Sequence, residues 1–324
     1  MAVEPVRRVD EASAADRLRA FRELLASWPL RMVRLYPGEY FGRIDSVALV
    51  DRISELGFNR VIVAISSENE LDERLREFLA VAGERQLPVY VELRQRDFFV
   101  RYRGNALLRR LLHPNLTLEK AVVEVMKFDG ELPEKSRIAG VVIAIEPHLF
   151  TASNPDRPRD LLFAWSEENF GPGLDNEQMM RGSLDQLENI AVSLFPLKPA
   201  VEIPDFYQEL VDSGRLAVGA TADFVAAAGG QPPFVIVAGS GNRPTELVEG
   251  IRREAETIPA GIPLVAGITL AGHTSYERGM LRRRDWADFL RALDFLRKEL
   301  SGYPSFSGVV IGPLRLVEFL RLER

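Results

Sequence analysis

Eight short apolar runs alternate with helical patterns along the chain, and this alternation constrains the fold more than any other feature. The run at residues 140–145 has no polar alternation, which is typical of a strand buried on both faces of a parallel sheet. Strict alternation of strands and helices predicts a parallel sheet. Closure of eight such strands into a ring removes the exposed sheet edges, so the expected fold is a (β/α)8 TIM barrel of the α/β class.

The domain organisation follows from the first helical pattern, at residues 10–26, which precedes the first strand. We expect an N-terminal helical extension over residues 1–30 and a single barrel over residues 31–324, since eight β/α units need roughly 250 residues. The predicted strands are 32–35, 60–65, 89–94, 140–145, 199–203, 234–239, 263–270 and 308–312.

Helix starts are indicated by capping residues, with Asp45 and Thr117 as the expected N-caps of two helices. The segment 221–229 is open to two interpretations, a helix or a ninth strand. Three successive alanines favour a helix, capped by Thr221 and ended by glycines. This interpretation keeps the strand count at eight.

Composition restricts the classes of partner and chemistry. The net charge of −6 argues against a nucleic-acid partner, since such proteins usually carry a basic face. The absence of cysteine excludes thiolate catalysis, iron–sulfur clusters and cysteine-bound zinc. No stretch predicts a membrane span or a signal peptide. We expect a soluble protein, cytoplasmic as given or exported if a leader was trimmed, with no cofactor; its oligomeric state is not indicated.

Charged residues inside the predicted strands are the sharpest functional signal. Alternate residues of a barrel strand face the interior and the surrounding helices. With valine, leucine and isoleucine facing the helices, Arg34, Glu92, Arg94, Glu146 and Glu202 point inward. Two interpretations remain open. The charges form either a structural ion-pair cluster or a polar substrate site near the carboxyl ends of the strands, where barrel active sites lie.

Paired carboxylates favour glycoside hydrolysis, in which one group protonates the leaving oxygen and the other attacks or activates water. Glu146 is the candidate proton donor, and Glu277 or Glu202 the candidate nucleophile or base. The candidate substrate-binding residues lie in the inward set and in the loops after the strands, where tyrosine and tryptophan stack on sugar rings: Arg34, Tyr40, Glu92, Arg94, His148, Trp165, Asp205 and Tyr276.

Three segments carry a resemblance to a known family: Tyr40-Phe-Gly42, Thr274-Ser-Tyr-Glu-Arg-Gly279 and Phe306-Ser-Gly-Val-Val-Ile-Gly312. Together they resemble bacterial glycoside-hydrolase-like (β/α)8 barrels, over about 280 residues of the chain. The resemblance implies a carbohydrate-related role with acids after the fourth and seventh strands, at Glu146 and Glu277.

Two positions depart from the pattern of the retaining glycosidases in that family. Ile145 stands where those enzymes have asparagine, and Glu277 lies several residues into its loop instead of at the strand tip. A non-catalytic, carbohydrate-binding barrel is therefore an alternative function.

A phosphate-binding lyase or isomerase is another alternative. The segment Gly239-Ser-Gly241-Asn242 precedes one helix and Gly312-Pro313 precedes another, and helix N-termini bind anions. Metal chemistry is not indicated, because the three histidines form no His-x-His or His-Glu-x-x-His motif.

Overall fold

The computed structural model describes residues 14–66, 68–95, 115–147, 176–239, 244–268 and 286–312. Its strands form one closed barrel in chain order, each parallel to both neighbours. The strands are β1 (Leu30–Leu35), β2 (Arg60–Ile65), β3 (Val89–Arg94), β4 (Gly140–Ala144), β5 (Ala200–Pro204), β6 (Val235–Ala238), β7 (Leu264–Ile268) and β8 (Phe306–Ile311).

Helices surround this barrel. Those within the described ranges are α1 (Ala14–Ala26), α2 (Pro37–Tyr40), α3 (Ser46–Glu55), α4 (Glu73–Glu84), α5 (Asn115–Gly130), α6 (Asn176–Ser193), α7 (Tyr207–Asp212), α8 (Thr221–Ala227), α9 (Pro244–Thr257) and α10 (Trp286–Leu300). In this part of the chain, no helix has both the length and the apolar character needed to cross a bilayer.

Closure occurs where β1 pairs with β8, with Met32 opposite Val310. The predicted α/β barrel is therefore confirmed. The N-terminal helix α1 packs against the outside of the ring, where Phe21 lies between Phe58 and Phe289 with ring centroids 5.9 and 6.1 Å away.

Apolar residues form two cores, one on each side of the strands. The outer core lies between the strands and the helices, and includes Val33, Val91, Ile143 and Val201. The inner core fills the interior of the barrel and consists of Met32, Ile62, Val142, Ala200, Phe234, Ile236, Val265 and Val310. The period-two pattern read from the sequence thus separates the two faces correctly.

Local predictions mostly hold. The Asp45 side chain accepts from the Ala48 N–H at 3.0 Å, which confirms it as the N-cap of α3. Residues Thr221–Ala227 are helical, which confirms the eight-strand count.

Two cap predictions were wrong. Thr117 lies inside α5, which includes residues from Asn115 onward. Thr221 is the first residue of α8 and not its cap, and its hydroxyl is hydrogen-bonded to Glu254. The short helix α2 was not predicted, and the predicted final helix lies outside the described residues.

Candidate functional site

Three charged side chains occupy one layer of the barrel interior. Because the strands of such a barrel are tilted, a level layer advances by about one residue along each successive strand. Following the strand register with this advance places Arg34, Glu92, Glu202 and Gly267 at the same level, on the alternate strands β1, β3, β5 and β7. Arg34 Nε donates to Glu92 Oε2 at 2.7 Å, and Arg34 Nη2 donates to Glu202 Oε2. A single arginine therefore joins two carboxylates from different strands.

The layer nearer the carboxyl ends of the strands contains only small residues, namely Ala64, Ala144, Ala238 and Gly312 by the same register. A Cβ at Gly312 would lie 2.7 Å from the Arg34 carbonyl oxygen and 3.1 Å from Arg34 Cβ, so glycine permits this close packing. We call the carboxyl end of the barrel, next to this layer, the mouth.

Arg94 extends the charged layer into a four-member group. Its Nε donates to Glu92 Oε1, and its guanidinium carbon lies 5.6 Å from the centre of the Tyr36 ring. We call Arg34, Glu92, Arg94 and Glu202 the ionic cluster. Each member is at most 5% exposed, so mutual pairing offsets the cost of burying these charges.

The protonation of the ionic cluster follows from its connectivity. Burial alone raises the pKa of Glu92, but Arg34 and Arg94 outweigh it and hold that pKa below its ordinary value. Burial also raises the pKa of Glu202, which has one arginine partner and is repelled by Glu92, so its pKa stays above the ordinary value. Glu202 is thus the carboxyl of the cluster that most readily carries a proton.

Both arginines stay charged. Burial lowers the pKa of Arg34, but Glu202 and then Glu92 raise it above the ordinary value. For Arg94 burial again lowers the pKa, and Glu92 contributes most to raising it well above that value, with a smaller contribution from Glu146.

Glu146 lies two residues beyond the end of β4. It alternates in step with Val142 and Ala144, so its side chain leaves the strand on the side of the barrel interior, as theirs do. The Ile145 N–H donates to the Glu202 carbonyl at 3.1 Å, so the β4–β5 ladder continues to that point. From strand spacing and rise, the Cα atoms of Glu146 and Glu202 are about 8 Å apart. Glu146 is half-buried, and its carboxylate contributes to the electrostatic field at Arg94.

Two other candidates lie away from the mouth. Asp205 is fully buried and packs against α9, where a Cβ on Gly250 would come within 2.6 Å of Asp205 Cβ. It follows Glu202 by an odd number of positions, so it faces the helices. Tyr40 is fully buried in the outer core, because α2 directs the side chains of Tyr40 and Pro37 toward that core and not into the barrel interior. The remaining candidates, His148, Trp165, Tyr276 and Glu277, lie outside the described residues.

Sequence reasoning missed a buried hydrogen-bonded group behind Glu146. Gln95 follows β3 and contacts Gln186 and Ser183 of α6, and all three are at most 5% exposed. A signal was present: Ser183, Gln186, Leu187 and Ile190 share the i, i+3, i+4, i+7 spacing of one helix face, so two polar residues interrupt an apolar stripe.

The structure also bears on metal and phosphate chemistry. Within the described ranges, no group of three or more histidine and acidic side chains is arranged to hold a metal ion. Gly239 has a packing role, since a Cβ there would lie 2.2 Å from Leu247 Cδ1 of α9. Residues 240–242 and 313, the rest of the predicted phosphate sites, lie outside the described residues.

Comparison with known proteins identifies the fold alone. No protein-family model and no curated protein sequence matches the chain. The endo-beta-N-acetylglucosaminidase of Cordyceps militaris aligns with a TM-score of 0.50 and 10% identity, over 96% of this chain and 92% of that one. The chain also aligns with a putative alpha-L-fucosidase from Bacteroides thetaiotaomicron, with a TM-score of 0.49 and 13% identity over 90% of this chain and 91% of that one. It aligns with an endo-1,4-beta-mannanase from Eisenia fetida with a TM-score of 0.49 and 12% identity over 91% of each chain. The alignment with the Cordyceps militaris enzyme shows a shared barrel fold.

Proposed function

We propose that this barrel binds a carbohydrate at its mouth and cleaves a glycosidic bond with the carboxyl groups of Glu146 and Glu202. The observation that supports this most directly is the pair of inward-facing acids on neighbouring strands, beside the small-residue layer. Their Cα separation of about 8 Å is compatible with the carboxyl distances of two-carboxylate hydrolases once the side chains extend.

The environments of the two acids divide their roles. Burial and Glu92 favour a protonated Glu202, so in this proposal Glu202 is the proton donor. Glu146, whose carboxylate acts electrostatically on Arg94, is then the nucleophile or base. This assignment reverses the roles expected from the sequence, where Glu146 was the donor. Glu277 remains a further candidate for the ionised partner.

The arginines hold the acids and contact the substrate in this proposal. Arg34 is paired with Glu202, and the Arg94 guanidinium carbon lies 5.6 Å from the centre of the Tyr36 ring. Sugar hydroxyls are bound well by charged, planar donors of this kind.

The experiment compares substrates that differ in leaving group. A panel of 4-nitrophenyl glycosides, including the β-N-acetylglucosaminide suggested by the Cordyceps militaris enzyme, is assayed beside the matching oligosaccharides. Nitrophenolate leaves with little protonation, so Glu202→Gln should retain most activity on aryl glycosides but lose at least about 100-fold on oligosaccharides. Glu146→Gln should lose activity on both.

Glu188→Gln is the matched control, since Glu188 is exposed on α6, and its activity should equal that of the wild type. Near-UV circular dichroism checks that each variant is folded. Equal activity of Glu146→Gln and the wild type on every cleaved substrate would contradict the mechanism.

A non-catalytic carbohydrate-binding barrel is the second candidate, and a specific observation favours it. Arg34 and Arg94 pair with Glu92, and Arg34 also pairs with Glu202, so these carboxylates are already engaged in ion pairs. In that case no glycoside is cleaved, yet titration calorimetry with N-acetylglucosamine oligosaccharides gives saturable binding that Arg94→Met weakens. Neither turnover nor binding would refute both candidates.

A further inference from the structure

Gln95 occupies a junction between the barrel and helix α6. Its backbone N–H donates to the Ala144 carbonyl at 3.0 Å, so its main chain is held in the β3–β4 ladder. By parity with Arg94 its side chain points away from the barrel interior, toward the helices. There it is 4% exposed and hydrogen-bonded at both ends.

One end of this side chain holds the backbone of Glu146. The Glu146 N–H donates to Gln95 Oε1 at 3.1 Å. The preceding N–H, that of Ile145, makes the last ladder bond to Glu202, so Glu146 is the first residue of this segment held by a side chain. This hydrogen bond orients the peptide plane that precedes the Glu146 Cα, and so constrains where the side chain leaves the backbone.

The other end is oriented by α6. Gln95 Nε2 donates to Gln186 Oε1 at 2.7 Å and to Ser183 Oγ at 3.3 Å. Because a backbone N–H can only donate, Gln95 must present its oxygen to Glu146 and its nitrogen to α6. Gln186 must then present its own oxygen to Gln95.

The orientation of the Gln186 amide follows from that of Gln95, although it leaves a buried donor of Gln186 unpaired. With its oxygen toward Gln95, Gln186 keeps a buried Nε2 that has no hydrogen-bond partner among the described residues. A buried donor left without a partner lowers the stability of the folded state. The amide pair therefore adopts the orientation that Glu146 requires, because a reversed Gln186 amide would turn its donor toward the Gln95 donor.

We propose that Gln95 is a positioning residue for Glu146, oriented in turn by Gln186. The inference rests on the proposed function of Glu146. A purely structural role, fastening α6 to the barrel, predicts lower stability with unchanged catalysis. A positioning role predicts a lower kcat at nearly constant KM, because the reacting carboxylate moves while the substrate-binding groups do not.

Two substitutions of Gln95 separate these roles. Gln95→Met removes both hydrogen-bonding ends, and we expect kcat to fall about 10- to 100-fold, the effect of a displacement near 1 Å. Gln95→Glu keeps an oxygen for the Glu146 N–H, and Gln186 can turn its amide to donate to the new carboxyl. We expect this variant to recover kcat to within about 5-fold of the wild type while KM stays constant.

The assay uses the full chain and the 4-nitrophenyl glycoside that the wild type cleaves. Gln231→Met is the matched control, because Gln231 is exposed in the loop before β6, and it should leave kcat unchanged. If Gln95→Met does not fold, Gln186→Met tests the same chain of contacts one step away and should lower kcat in the same direction.

The outcomes separate two failures. Full kcat in folded Gln95→Met or, failing that, in Gln186→Met, with Glu146→Gln inactive, overturns the positioning role and leaves the proposed function standing. Loss in Gln95→Met without recovery in Gln95→Glu also overturns it. A wild type that cleaves no glycoside overturns the proposed function and this inference with it.

Discussion

Glu254→Gln replaces an acid that is fully buried between three helices on the outer side of the barrel. Glu254 lies on α9; its Oε1 accepts from the Gln208 N–H of α7 at 3.3 Å, and its Oε2 is hydrogen-bonded to the Thr221 hydroxyl of α8. Burial, reinforced by the charge of Asp205, raises the pKa of Glu254 to about 8. The acid is therefore neutral in the folded protein at pH 7.

The sign of the pH dependence follows from linkage. The unfolded chain has the ordinary pKa of 4.5, so the folded state holds the proton more tightly. The corresponding stability is fully present below pH 4.5 and is lost as pH rises through about 8. Between pH 6 and pH 9 this group alone should lower the free energy of unfolding by about 3 kcal/mol.

Glutamine reproduces the neutral acid, since its oxygen can accept from Gln208 and its nitrogen can donate to the Thr221 hydroxyl. Urea unfolding from pH 6 to pH 9 should therefore show Glu254→Gln gaining about 3 kcal/mol on the wild type across the range. Glu249→Gln, an exposed position of the same helix, should show no such gain. Parallel pH profiles for Glu254→Gln and the wild type would refute the reasoning.

Three further substitutions test the packing. Arg34→Met leaves two buried carboxylates without their shared cation and should cost about 3–5 kcal/mol in urea unfolding; a loss under about 1 kcal/mol would contradict a paired cluster. Gly83→Ala places a Cβ 2.0 Å from the Lys135 carbonyl oxygen and should lower the free energy of unfolding by about 1–3 kcal/mol. Its control is Gly130→Ala, where a Cβ would meet nothing within 4 Å, and this variant should change the free energy of unfolding by no more than about 0.5 kcal/mol. Asp72→Ala removes the α4 N-cap, which accepts from two backbone N–H groups, and should lower the thermal midpoint through a loss of about 1 kcal/mol.

Much of the barrel could be read from the sequence because its signals are local. The boundaries of β2 and β3 agree with the predicted strands, since β2 is a nearly continuous apolar run and β3 alternates valine and leucine with tyrosine and charged residues. The alanines of α8 correctly favoured a helix over a ninth strand. The parity of Arg34, Glu92 and Glu202 predicted their inward direction, because a strand presents alternate residues to opposite faces whatever its neighbours are.

The candidate site was only partly predictable, since its contacts join distant segments. Parity also directs Asp205 toward α9, but its position at a strand end suggested the mouth. Tyr40 entered the outer core through a short helix that no pattern indicated. The contact of Gln95 with Glu146 spans 51 residues and depends on how far β3 and β4 extend together.

What the sequence by itself determined was the order of the elements and the face on which each strand residue lies. Both depend on periodicity within a few residues of chain. Only the tertiary structure decided which charges meet. Arg34 reaches carboxylates 58 and 168 residues away, and that choice depends on the register with which eight strands close, which no single strand encodes.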